Sequence, residues 1–113
     1  MLAKYLITDN AGLDYGLLIY DVGTKVWHIE INPARTWDDT PLSLAIYIRN
    51  GIYSLDEKQS LSWVRERLLP PNRQNIHHIL REMGISEYDE FAFIRKTRGV
   101  SPNDGLFLVD TIQ

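Results

Sequence analysis

The sequence predicts an α+β fold in which about three helices pack on a small antiparallel sheet, and three patterns support this prediction. Segments before residue 35 alternate apolar and polar residues and are separated by turn-forming residues, as half-buried strands are. Segments between residues 56 and 99 repeat apolar residues every three or four positions, as amphipathic helices do. The apolar segment 106–109 predicts a C-terminal strand that closes the sheet.

Three predicted strands form the N-terminal part of the sheet. The first covers residues 3–8, and the next two, 15–20 and 26–31, form a hairpin in which we expect Gly23 to supply a positive φ angle. Because alternate side chains of a strand share a face, Trp27 lies with Ile29 and Ile31 on the apolar face of the third strand. We therefore expect Trp27 to be in the core.

The middle of the chain is predicted to contain a loop and a further strand. The loop, residues 34–40, carries Trp37 and the adjacent pair Asp38 and Asp39; two neighbouring aspartates without a third ligand favour a solvated turn over a cation site. The segment 41–48 (PLSLAIYI) is rich in residues that favour strands, so it is predicted as a strand.

Three helices are predicted after this segment, over about 56–69, 72–84 and 86–99. Pro70 and Pro71 stop the first helix, because proline cannot continue a helix. Asn72 and Ser86 are the expected N-caps of the other two, and Gly84 and Gly99 are the expected stops. The apolar residues predicted to face inward on these two helices are Ile76, Ile79, Leu80, Met83, Phe91 and Ile94.

The first of these helices places a tryptophan on the side that is predicted to face solvent. A stripe of Leu61, Val64 and Leu68 predicts the buried side, and Trp63 falls on the other side. The residues that share that side with Trp63 are Gln59, Ser60 and Arg67. A large exposed ring calls for a second surface to cover it. That surface belongs either to the same chain, such as the loop 34–40, or to a partner.

The composition excludes several classes of function. The 113 residues are predicted to form one domain, residues 1–113. A net charge of −3 and a pI near 5.5, without a Lys/Arg cluster, argue against direct nucleic-acid binding. The absence of cysteine excludes disulfides and cysteine-based metal sites. No apolar run is long enough for a membrane span and no signal-peptide pattern is present, so a cytoplasmic location is expected.

No catalytic constellation stands out in the sequence. No glycine-rich phosphate loop precedes a helix, and neither a His-Arg-Asp loop nor an Asp-Phe-Gly motif is present. Serine, histidine and aspartate occur without the surroundings of a nucleophile elbow. We therefore expect a protein that is not an enzyme, with no catalytic residues, no cofactor and no metal.

An ordered set of short motifs carries a resemblance to a known family. The motifs are residues 16–20 (GLLIY), 27–31 (WHIEI), 41–44 (PLSL) and 68–70 (LLP), then Arg73, Phe91, Ile94, Gly99 and residues 104–105 (DG). This succession resembles the first N-terminal subdomain of the HipA-type Ser/Thr kinase toxins over about residues 15–109. The PLSL and LLP motifs are the most specific. Pro71 stands where the family pattern has glutamate.

The resemblance implies a regulatory role. The chain stops where the kinase body of the family would begin, so it looks like a free-standing version of the subdomain. It is similar to the HipS-type small subunit of split HipBST toxin–antitoxin modules. Such a protein is a non-catalytic antitoxin that binds and restrains a separate HipA-like kinase encoded nearby, while a helix-turn-helix protein in the same complex handles DNA.

The expected partner-binding residues are Trp63, Arg67, Gln59 and Ser60, because tryptophan and arginine most often carry interface energy. Two further functions stay open: a homo-oligomeric or accessory interaction module with Trp63 buried across a two-fold axis, and a small ligand-binding domain without a visible motif. A flat exposed patch around Trp63 would favour the kinase-binding regulatory protein, and a deep polar pocket would favour the ligand-binding domain.

Overall fold

The computed structural model describes residues 1–68, 72–101 and 103–111. The elements in chain order are β1 (Leu2–Thr8), β2 (Gly16–Asp21), β3 (Val26–Ile31), α1 (Leu42–Arg49), β4 (Ser54–Leu55), α2 (Glu57–Arg65), α3 (Ile76–Glu82), α4 (Glu90–Thr97) and β5 (Phe107–Asp110). Five antiparallel strands and four helices in this part of the chain confirm the predicted α+β class. The predicted helix end at Leu69 and the stop at Pro70 and Pro71 lie outside the described residues.

The sheet has the strand order β4-β3-β2-β1-β5, and every neighbouring pair is antiparallel. The C-terminal strand β5 pairs with β1, which confirms that it closes the sheet. The hairpin between β2 and β3 differs from the prediction in one respect: Lys25, and not Gly23, has the positive φ angle, at +61°. The Asp21 carboxylate holds this turn by accepting hydrogen bonds from the backbone N–H groups of Gly23 and Thr24.

The prediction of a strand over 41–48 is wrong, because this segment forms α1. Its end is a Schellman motif, in which the Ile52 N–H donates to the Tyr47 carbonyl and the Gly51 N–H donates to the Ile48 carbonyl, both at 2.9 Å. Gly51 has a φ angle of +74°, which glycine adopts without the steric cost of a side chain. Pro41, directly before the helix, has the φ angle of −56° that proline fixes.

The two later helices begin later than predicted but end where their glycines predicted. Helix α3 follows Asn75, which has left-handed backbone angles, and α4 follows Asp89. The Asp89 carboxylate accepts hydrogen bonds from the Phe91 and Ala92 N–H groups, so it is the N-cap that was expected at Ser86. Gly84 and Gly99, with φ angles of +75° and +65°, follow the last turns of α3 and α4.

The main core lies between one face of the sheet and helices α1, α2 and α4. Trp27 is buried there, as predicted, and its ring and the Tyr20 ring contact Phe91 of α4. The other buried residues of this core include Ile7, Leu18 and Ile29 from the sheet and Leu44, Trp63, Val64 and Ile94 from the helices. A second, smaller core of Ile76, Leu80, Ile85 and Phe93 joins α3 to α4.

Candidate functional site

The buried side of α2 includes Val64, as predicted, but it also includes residues that were predicted to face solvent. Ser60, Trp63 and Val64 are buried on one side of α2, and Arg67 is buried two residues after its end, whereas Leu61 is only partly buried. Trp63 has 2% of its surface exposed. The prediction that Trp63 lies on an exposed face is therefore wrong.

The two smaller residues of the predicted site have structural contacts. Gln59 forms a capping box with Asp56, because each side chain accepts a hydrogen bond from the other residue's backbone N–H, at 2.8 and 3.0 Å. The Ser60 hydroxyl accepts from the Ile29 N–H at 3.0 Å and donates to the Leu55 carbonyl at 3.3 Å. Ser60 thereby fixes α2 to β3 and β4.

Trp63 and Arg67 belong to a buried polar cluster with Ser43 and Asp104. The Trp63 indole N–H donates to the Ser43 hydroxyl at 3.3 Å, and that hydroxyl donates to Asp104 Oδ2 at 2.6 Å. Arg67 Nη2 donates to the same carboxylate oxygen. The Arg67 guanidinium carbon lies 3.7 Å from the centroid of the Trp63 ring, in cation–π geometry. The cluster thus ties α1 and α2 to the segment before β5.

Arg67 also organises the backbone of that segment. Its Nη1 donates to the carbonyls of Gly99 at 2.9 Å and Leu106 at 3.4 Å. Burial lowers the pKa of Arg67, and the adjacent Asp104 opposes this shift because a nearby negative charge favours the charged form. The contacts of Arg67 therefore hold the chain together, and its buried guanidinium offers no surface to a partner.

An exposed apolar face lies instead on α1 and on the loop before it. Trp37, Leu42 and Ile46 are 57%, 78% and 53% exposed. Leu42, Ile46 and Arg49 follow one side of α1, and the Arg49 guanidinium carbon lies 5.5 Å from the centroid of the Trp37 ring. We call Trp37, Leu42, Ile46 and Arg49 the docking face.

Helix α1 is apolar on two opposite sides. Leu44, Ala45 and Ile48 are buried against the core, whereas Leu42 and Ile46 point to solvent. A helix that is apolar all round is typically covered on all sides, so the outer side of α1 lacks a cover within the described residues. The sequence signals for this helix were Pro41 before it and Asn50 and Gly51 after it. They would have shown that Leu42 and Ile46 share a face.

A cleft of about 1250 Å³ opens on another part of the surface. Its walls come from the β2–β3 hairpin, the end of α2, the connection 84–90 and one side of α4. Apolar and aromatic side chains line part of it: Tyr20, Leu68, Ile85, Tyr88 and Ala92. Its charged side chains are Lys25, Arg65, Glu87, Asp89, Glu90, Arg95 and Lys96. Small-molecule sites are usually lined by apolar side chains with a few polar groups, so this cleft is more charged than most.

Two carboxylates of the cleft already have partners. Glu90 pairs with Arg65 at 2.8 Å, which raises the pKa of Arg65, and Asp89 caps α4. Burial raises the pKa of Tyr20, and the negative charges of Asp89 and Glu90 add to this shift, so its hydroxyl stays neutral at physiological pH. Lys25, Arg95 and Lys96 make no ion pair within the described residues.

Two further features of the described part of the chain bear on function. Residues 1–68, 72–101 and 103–111 contain no group of three or more His, Cys, Asp or Glu residues that could hold a metal ion. No helix among them has the length and apolar character needed to cross a membrane.

Comparisons of the chain with protein-family models, with curated proteins and with solved structures give no match. The resemblance to the HipA-type subdomain therefore rests on the ordered motifs alone.

Proposed function

We propose that the chain is a non-catalytic regulatory protein that binds another protein through the docking face. The observation that carries this proposal is helix α1, which buries one apolar side in the core and exposes a second. The ordered motifs favour a particular partner, a HipA-like Ser/Thr kinase toxin that is encoded nearby and restrained by this chain in the cytoplasm. In this proposal, a helix-turn-helix DNA-binding protein belongs to the same complex.

The docking face has the chemistry of a protein interface. Burying a large apolar side chain is worth about 1.5–3 kcal/mol, so covering Trp37, Leu42 and Ile46 from their present exposure contributes about 3–5 kcal/mol before the costs of association. Arg49 lies beside the Trp37 ring and has no ion-pair partner within the described residues. A complementary partner surface is an apolar groove with a carboxylate near the site of Arg49.

The test is co-expression of the chain with the nearby kinase, scored by growth rescue and by co-purification. We expect Trp37→Ala to weaken binding by about 2–4 kcal/mol, which is about thirtyfold to a thousandfold, because a tryptophan anchor typically contributes that much. Trp63→Ala is unsuitable for this experiment, because emptying a buried tryptophan site costs about 3–5 kcal/mol of folding stability.

Leu2→Ser is a matched control, because Leu2 is 52% exposed at the start of β1 and belongs to the sheet, away from α1. We expect this variant to bind and rescue like the wild type, whereas Leu42→Ser weakens both. Binding without rescue contradicts the restraining role and leaves an accessory subunit. Failure of the wild-type chain to co-purify with the kinase contradicts the proposed partner.

The cleft favours a second candidate function, a small ligand-binding domain. It is concave, and its lining combines apolar and aromatic side chains with charged ones that can orient a bound molecule. The homo-oligomeric alternative loses its original basis, because Trp63 is buried inside its own chain and cannot pack across a two-fold axis.

A further inference from the structure

The cleft has a fixed aromatic and apolar lining. The Tyr20 ring stacks on Phe91 with centroids 4.4 Å apart and an angle of 20° between the ring planes. Leu68, Ile85 and Ala92 add apolar surface, and Tyr88 packs against buried Phe93. Because these side chains are held by the two hydrophobic cores, the lining is formed before any ligand arrives.

The charges that line the cleft are not balanced once the existing contacts are counted. Lys25, Arg95 and Lys96 have no ion-pair partner in residues 1–68, 72–101 and 103–111, and Arg65 is neutralised by Glu90. Of the carboxylates, Glu90 is paired with Arg65, whereas Glu87 and Asp89 keep their charges, that of Asp89 beside the N-terminus of α4. Three unpaired cations against these two carboxylates leave a surplus of one positive charge.

Two of these cations lie on one helical side with the apolar surface. Ala92, Arg95 and Lys96 are separated by three and four residues, so they share one side of α4. The Lys96 amine reaches toward Gly84, 3.9 Å from where a β-carbon on that residue would stand, and Arg95 lies 5.6 Å from the Phe91 ring centroid. A ligand on the apolar lining would therefore meet positive charge at its edge.

From this arrangement we propose that the cleft binds an organic anion with an apolar body. The aromatic and apolar lining takes the body, and Lys25, Arg95 and Lys96 take the charges. This site is independent of the docking face and of the proposed kinase partner.

The test is a titration of the full chain with adenosine 5′-monophosphate as the probe, monitored by backbone amide NMR. Adenosine supplies the uncharged body alone and inorganic phosphate supplies the charge alone. We expect the monophosphate to shift amide signals of the connection 84–90 and of α4, and to bind more tightly than either fragment. Absence of shifts at millimolar monophosphate overturns the proposal, as does equal binding of all three probes.

Variants locate the site. Removing one exposed charge contact costs up to about fivefold in affinity, so Arg95→Gln/Lys96→Gln is expected to weaken monophosphate binding by up to about 25-fold. Lys4→Gln is the matched control, because Lys4 is an exposed lysine of β1 that does not line the cleft. Equal affinity in the double variant and in Lys4→Gln contradicts the assignment of these cations.

Co-purification of the cleft variant with the kinase separates this proposal from the proposed function. The Arg95→Gln/Lys96→Gln chain is expected to keep partner binding, because neither residue belongs to the docking face. A failed nucleotide titration beside intact partner binding overturns the cleft proposal alone.

Discussion

Replacing Arg67 with methionine removes the centre of the buried polar cluster while keeping most of the side-chain volume. The Arg67 and Asp104 side chains are 2% and 7% exposed, so the substitution leaves a carboxylate in the interior without its cation. The carbonyls of Gly99 and Leu106 lose their donor at the same time. Both effects destabilise the segment that leads into β5.

The expected loss is about 3 kcal/mol of unfolding free energy. Removing one partner of a buried ion pair typically costs about 3–5 kcal/mol, because the other charge stays buried without compensation. The lower end applies here, since Asp104 keeps hydrogen bonds from the Ser43 hydroxyl and the Leu106 N–H. A small domain is usually stable by about 5–15 kcal/mol, so the variant remains folded in water.

Urea unfolding, followed by tryptophan fluorescence and far-ultraviolet circular dichroism, measures this loss. The double variant Arg67→Met/Asp104→Leu tests the cause, because it removes the uncompensated charge together with the cation. We expect it to be more stable than Arg67→Met alone, with a coupling energy of about 2 kcal/mol. A loss below about 1 kcal/mol in Arg67→Met, or strictly additive losses in the double variant, would refute the reasoning.

Two further predictions concern the N-terminal half. Burial and the hydrogen bond to Asp9 raise the pKa of Tyr15 from 10.0 to about 12, so its contribution to stability is complete below pH 10 and is lost as the pH rises toward 12. We expect the Tyr15→Phe variant to lose less unfolding free energy at alkaline pH than the wild type, as measured by urea unfolding. In the same variant we expect NMR to show that the Asp9 pKa rises toward its usual value. Gly16→Ala is expected to lose more than about 3 kcal/mol, because a β-carbon there would overlap the backbone of β3, whereas Gly12→Ala has open space and loses about 1 kcal/mol. Equal thermal denaturation temperatures of the two alanine variants would contradict this.

Much of the sheet could be predicted because its signals are local. In β3, Trp27 and Ile29 alternate with His28 and Glu30, and this period of two settles both the strand and its buried face. The ends of α3 and α4 were equally clear, since Gly84 and Gly99 carry the positive φ angles that stop a helix. The two-residue strand β4 has no comparable signal, because its pairing with β3 depends on a distant segment.

The helix α1 was missed because two local signals compete in it. Ile46 and Ile48 favour a strand through their branched side chains, whereas Pro41 and Gly51 bracket a length that suits two helical turns. The helix prevails because its stop is completed by the Schellman hydrogen bonds and because one of its sides packs in the core. Tertiary packing routinely overrides propensity in this way.

The buried side of α2 could not be assigned from the helix itself. Ser60 and Arg67 indicate a wet side by residue type, yet their hydrogen-bond partners are Ile29, Leu55, Gly99 and Asp104, most of them far along the chain. A buried polar residue is tolerated when such partners satisfy it, and a helical wheel contains no information about them. The same pattern was therefore compatible with either side facing inward.

The two errors have one consequence for function. In a strand over 41–48, Leu42 would lie on the same side as Leu44. The predicted orientation of α2 placed Trp63 in solvent, so Trp63 became the predicted anchor. As a helix, α1 contributes Ser43 to the cluster that covers Trp63 and at the same time turns Leu42 and Ile46 to solvent. The uncovered apolar surface thus moves from α2 to α1 and Trp37. The proposed docking face therefore lies on α1 and the loop before it, and not on α2.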